Sequence, residues 1–166
     1  MSRVARYHAD RTNQKLYFAR LAISQAEQSE HQEKQACQES AVNHLYQSIF
    51  AFLQELVRYY NLSDTQPTLL SITQKMAQKG QVSPEILVLE PLFKSGFLAE
   101  LCTAYHHCLY APVPHVPEYE GEVSSQLIIK VTQTPQVWLP DTATLREWHQ
   151  KVVALFEGFR NEMIEF

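Results

Sequence analysis

"AVNHLYQSIFAFLQELVRYY", residues 41–60, decides the fold class. Projected at about 100° per residue, Ala41, Val42, Leu45, Tyr46, Ile49, Phe50, Phe52, Leu53, Leu56, Val57, Tyr59 and Tyr60 fall on one half of a helical wheel. Asn43, His44, Gln47, Ser48, Gln54, Glu55 and Arg58 take the other half. An apolar face this long, on a helical period, predicts a helix that buries one side. It ends near Asn61, a residue type that tolerates the left-handed conformation in which helices often finish, and "SDTQP" at 63–67 reads as a turn.

Working outward, the same period recurs. In the last stretch Leu145, Trp148, Val152, Leu155, Phe156, Phe159 and Met163 repeat at three- and four-residue steps, a stripe narrow enough for bundle packing. Asp141 after Pro140, and Thr144 with Glu147 at capping-box spacing, offer alternative acceptors for the orphan N–H groups at its start. A weaker helix spans Thr68 to Lys79, closed by Gly80. Another runs from about Pro91 to Tyr110, with Phe97, Leu98, Leu101, Cys102, Tyr105, Cys108 and Leu109 on one face. Between the first two helices, "EQSEHQEKQACQES" contains neither Gly nor Pro, so a hairpin and one long rod both fit it. A bend near Ser29 to Gln35 is expected, because a rod would leave its apolar faces without partners in one small domain.

With 166 residues the chain fits one domain able to bury a core unaided. Four glycines are few for a fold built on tight turns, which favours helices. The exception is "APVPHVPEYEGEVSSQLIIKVTQTPQVWLP", 111–140, whose prolines forbid continuous helix. It reads as an extended crossover, with "LIIKV" at 127–131 as a short strand or packed strip. Acidic groups outnumber basic ones, net charge is −4, and no basic stripe marks a nucleic-acid binder. Three cysteines without paired spacing point to a reducing compartment. No leader-type apolar region follows "MSRVARYHAD", and no run nears ~18 apolar residues, so a cytoplasmic protein without a membrane role is expected.

The opening helix poses the functional question. Leu16, Phe18, Ala19, Leu21, Ala22, Ile23 and Ala26 lie almost all round it, as on a helix covered from several sides. Asn13, Arg20, Ser24 and Glu27 form a polar lane within a sector of roughly 60°. As a solvated edge the lane needs no explanation. As a covered seam it would need a carboxylate for Arg20, and would fix a dimer's register or line an anion pocket.

"TNQKLYFA" at 12–19, "HLY" at 44–46 and the terminal "FRNEMIEF" resemble an uncharacterised family of small all-helical cytoplasmic proteins of gammaproteobacteria, a domain of unknown function. The resemblance spans nearly the whole chain and implies a helical fold without implying an activity. Residues 1–9 extend beyond the family's usual start and are read as disordered.

Chemical constellations are sparse. Cys102 and His106 stand one helical turn apart with His107 and Cys108 nearby, but the imidazoles point to the polar flank and the thiols to the apolar face, so the four do not converge on a zinc ion. No helical Glu-x-x-His supports a di-iron centre. There is no nucleophile elbow, phosphate-cradling loop or dinucleotide fingerprint. "RVARYH", Arg3 to His8, matches the spacing of HEPN-like ribonucleases and nothing else of them. Tyr59, Tyr60, Trp138 and Trp148 are read as core aromatics.

The expected fold is all-α, a single-domain bundle of four to five helices over 1–166 with the crossover at 111–140. The expected role is non-catalytic: a bundle acting through protein contacts, with another chain or as a homodimer, without cofactor or metal. The alternative is a small-ligand or nucleotide-binding bundle of HEPN-like kind, using Asn13, Arg20, Ser24 and Glu27 with Arg20 as the anion anchor.

Overall fold

A computed structural model describes the backbone of residues 3–111 and 138–164 and the side chains of 9–111 and 138–163. The stretch read as an extended crossover lies, for 112–137, outside the described residues, as do residues 1 and 2; the rest of the start read as disordered, 3–9, is instead the first turns of a helix, continuous with the apolar period that follows. Among the described residues there are six helices and no strand: α1 (Arg3–Gln28), α2 (His31–Tyr59), α3 (Leu69–Gln78), α4 (Pro84–Ser95), α5 (Phe97–Leu109) and α6 (Thr142–Ile164). The fold is all-α, as the periodicity predicts.

The bend between the first two helices is a hairpin, placed at the start of the expected window. Ser29 and Glu30 alone separate α1 from α2, and His31 turns the chain with φ +50°. Neither Gly nor Pro forces this break. What drives it is burial: Leu16, Ala19 and Ile23 of α1 join Ala41, Val42, Leu45 and Ile49 of α2 in one apolar cluster, and a rod would expose both rows. The helices run antiparallel, so Lys15 Nζ reaches Gln47 Oε1 at 2.6 Å and the Phe18 ring meets the His44 ring edge-on at 5.3 Å.

Helix α2 is the centre of the bundle, packing against α1, α5 and α6. Tyr46 stacks on Tyr105 of α5 at 3.8 Å, and Phe52 stacks on Phe156 of α6 at 4.2 Å. Packing from several sides buries more than one face, which corrects the two-sided wheel. Ser48 and Glu55, on the polar half, are buried, while Phe50 and Tyr59, on the apolar half, are exposed. Ser48 satisfies its hydroxyl within the helix, donating to Leu45 O at 2.6 Å. Each fully enclosed side chain such as Leu45, Ile49, Phe52 or Leu56 contributes ~1.5–3 kcal/mol of apolar burial.

The expected single helix from Pro91 to Tyr110 is two helices. Ser83 Oγ accepts from Ile86 N and Pro84 sits at the first helical position, so α4 begins seven residues earlier than Pro91. Pro91 stands inside α4. The break falls at Gly96, whose backbone approaches Leu92 so closely that a Cβ would stand 2.9 Å from Leu92 Cα. Elsewhere local signals hold: Thr68 and Ser71 form a reciprocal capping box on α3, and Asn61 (φ +50°) and Gly80 (φ +67°) take left-handed turns. Of the two caps offered for the last helix the structure uses Asp141, which accepts from Thr144 N at 2.7 Å and is thereby held below the usual carboxylate range.

Candidate functional site

The polar lane of α1 lies along the edge where α1 meets α6. Glu27 receives a bidentate pair from Arg146, Nε to Oε1 at 3.0 Å and Nη2 to Oε2 at 2.6 Å. At the other end Arg160 Nη1 donates to Asn13 Oδ1 at 2.9 Å. Between them Arg20 is exposed and lies over the Tyr17 ring at 5.1 Å; Ser24 is half-buried. Among the described residues no ion pair joins Arg20 to a carboxylate. Thus the four lane residues share a face without converging on one point. Nor is α1 covered on all sides as its wheel suggests, since Tyr17 and Leu21 are exposed.

The lane leads to a polar junction that wheel reasoning missed. Arg160, having taken Asn13 of α1, also grips Glu55 of α2, Nε to Oε2 at 3.1 Å and Nη2 to Oε1 at 2.7 Å. Glu55 is only 8% exposed, so this guanidinium is the group that keeps a buried carboxylate paired, and it ties three helices together. His149, on the same helix, donates Nε2–H to Leu16 O at 3.0 Å, and burial first, then Arg20 and Arg146, hold it below the usual imidazole range. A signal existed in the sequence: Arg160 and His149 both fall within about 40° of Phe156 on the wheel, polar groups on an apolar stripe.

Of the metal candidates, His107 is half-buried beside Trp138, not on the open polar flank the wheel gave it. His106 is exposed, while Cys102 and Cys108 are half-buried thiols. Burial raises the Cys102 thiol, and burial with the nearby Glu39 pushes Cys108 up to about 11, so both are poor thiolates. Among the described residues no group of three or more His, Cys, Asp or Glu could hold a metal ion. The Arg3 and His8 side chains of the HEPN-like spacing lie outside the described residues. Of the aromatics, Trp148 is buried, Tyr60 half-buried and Tyr59 exposed, and Trp138 meets His107 edge-on at 5.8 Å.

The most distinctive surface is on α4. Its inner face is set by a polar latch: Glu85, 3% exposed in the helix's first turn, accepts from Tyr60 Oη at 2.7 Å and from Ser83 Oγ at 2.5 Å. Burial first, then the hydrogen bond to this carboxylate, raise the Tyr60 phenol, so the phenol stays the donor. With Glu85, Ile86 and Leu89 turned inward, Pro84, Leu87, Val88 and Pro91 must face out, spanning a sector of about 100°. Leu87 is 60% exposed and Val88 45%. Beside them, Val82 (68% exposed) and α3 border a groove of about 120 Å³ with Met76 and Ile86 among its lining. This helix is apolar on two opposite faces, one of which is exposed among the described residues.

The chain belongs to a family of unknown function, DUF6586, whose profile matches residues 7–166. No curated protein and no solved structure matches it. Among the described residues no helix is long and apolar enough to cross a membrane.

Proposed function

We propose that this chain is a non-catalytic helical bundle that works by docking a protein on the face built by α3 and α4. The observation that carries the reading is the outward stripe of α4, four apolar residues at helical spacing with no charge among them. Isolated exposed apolar side chains are ordinary, but a contiguous patch of several hundred Å² marks a contact surface. What supports this reading over an anion held at Arg20 is the state of the polar lane, where Asn13 and Glu27 are already engaged by Arg160 and Arg146.

The test is site-specific photo-crosslinking in cells, with the probe placed at Leu87 and, as control, at Gln25 on the exposed side of α1. The expected result is a discrete adduct from Leu87 alone, its second component identified by mass spectrometry, whether a copy of this chain or another protein. Equal, diffuse labelling from both positions would refute the reading. A thermal-shift screen against nucleotides and metabolites tests the alternative, since a specific ligand at free concentration L stabilises the fold by RT ln(1 + L/Kd) and raises the melting temperature with the logarithm of its excess over Kd.

A further inference from the structure

We infer that the occupant of the α3–α4 face is a second copy of this chain, seated across a two-fold axis; the inference rests on the docking reading above. Three features favour self-association. The first is charge. A two-fold contact brings each patch against itself, so any charge inside the patch meets its own copy, and like charges facing each other in an interface cost several kcal/mol. The stripe Pro84, Leu87, Val88, Pro91 has none; Glu90 lines the adjoining groove and Lys94 stands one turn on, so the charges at its flank are one of each sign and a rotated copy can set one against the other. By contrast, the exposed pair Tyr17 and Leu21 on α1 brackets Arg20 and would oppose guanidinium to guanidinium.

The second feature is extent. Val82 (68% exposed) and Leu87 (60%) border one groove, and Val88 (45%), Pro84 and Pro91 extend the exposed apolar side of α4 from it, a surface that runs along the helix as the apolar part of an interface does. The third is shape. Leu87 forms a ridge directly beside the groove that it helps line, between α3 and α4. A two-fold rotation sets the ridge of each copy against the groove of the other, the complementarity by which helical surfaces pack.

The experiment is sedimentation velocity on the purified full chain from low to high micromolar concentration. The wild type is expected to shift from monomer to dimer by mass action. Val88→Asp places a carboxylate against its own copy and is expected to raise the dimer Kd at least about tenfold, with an unchanged helical circular dichroism spectrum. Leu21→Asp, on the α1 face, is expected to leave the dimer intact. Should Val88→Asp fold poorly, the milder Val88→Gln with cross-link mapping from a probe at Leu87 replaces it, and a dimer cross-link joining α4 to α3 or α4 of the second copy supports the inference. A wild type that stays monomeric throughout overturns it, as does a dimer lost through Leu21→Asp but kept in Val88→Asp. A monomeric wild type whose Leu87 probe captures a different, identified protein in cells overturns self-association while leaving the docking reading standing.

Discussion

Replacing Arg160 by Met tests the polar junction most directly. Arg160 donates three hydrogen bonds, two to Glu55 and one to Asn13, at 2.7–3.1 Å. Methionine keeps much of the stem's packing and deletes the guanidinium. What it leaves behind is a carboxylate 8% exposed that has lost its Arg160 ion pair, and breaking a buried pair from one side costs about 3–5 kcal/mol. The Arg160 side chain retains 23% exposure, through which water reaches the vacated site, so the lower end, about 3 kcal/mol, is expected. For a domain of this size that is a fall in Tm of about 6–12 °C. Glu55→Gln, which keeps an acceptor and the shape, should cost less, about 1.5 kcal/mol. The double variant Glu55→Leu with Arg160→Met removes both charges and should recover most of the loss, giving a coupling of at least about 2 kcal/mol in the cycle. Urea melts read by circular dichroism measure all the species. If Arg160→Met loses under about 1 kcal/mol, or if the two single losses simply add, then Glu55 is not the buried, dependent charge described here.

Arg20→Ala is expected to change stability by no more than about 0.5 kcal/mol, since Arg20 is exposed and lies over the Tyr17 ring; a loss above about 2 kcal/mol in urea melts would show the lane to be a covered seam. Gly96 and Gly158 should diverge: Gly96→Ala forces a Cβ to within 2.9 Å of Leu92 Cα, a backbone atom, and should cost about 2 kcal/mol. A Cβ at Gly158, inside α6, meets nothing within 4 Å, so Gly158→Ala should raise stability by about 0.5–1 kcal/mol, and a loss there would contradict the open space. His149, held below 6.5 chiefly by burial, takes its proton in the folded state later than in the unfolded state as pH falls. Its contribution is therefore complete above pH ~6.5 and is lost as pH drops through the folded value; proton NMR should show this ring titrating below 6.5, and a titration at or above 6.5 would refute its neutral, buried state.

Local order was legible because helices are written in short-range periods and caps. Leu45, Ile49, Phe52 and Leu56 announce α2, Thr68 with Ser71 and Gly80 bracket α3, and Asp141 starts α6. Each of these signals acts within about four residues, the reach of one helical turn. The missed start of α4 was also local, a Ser83 cap followed by Pro84, masked by reading Pro91 as the helix's first residue.

What only the tertiary structure decided is which faces meet. Glu55 and Arg160 are 105 positions apart, and no period in either helix says that they will pair. The break at Ser29 and Glu30 has no breaker residue; it exists because folding back buries two apolar rows at once. In "PEILVLEPLF" apolar residues are so dense that the wheel cannot choose an inner face, and the latch of Glu85 to Tyr60, 25 residues away just past the end of α2, makes the choice and turns Leu87 and Val88 outward. A sequence fixes side-chain spacing along its own helix, whereas burial is settled between helices, by whichever arrangement covers the most apolar surface while leaving each buried polar group a partner.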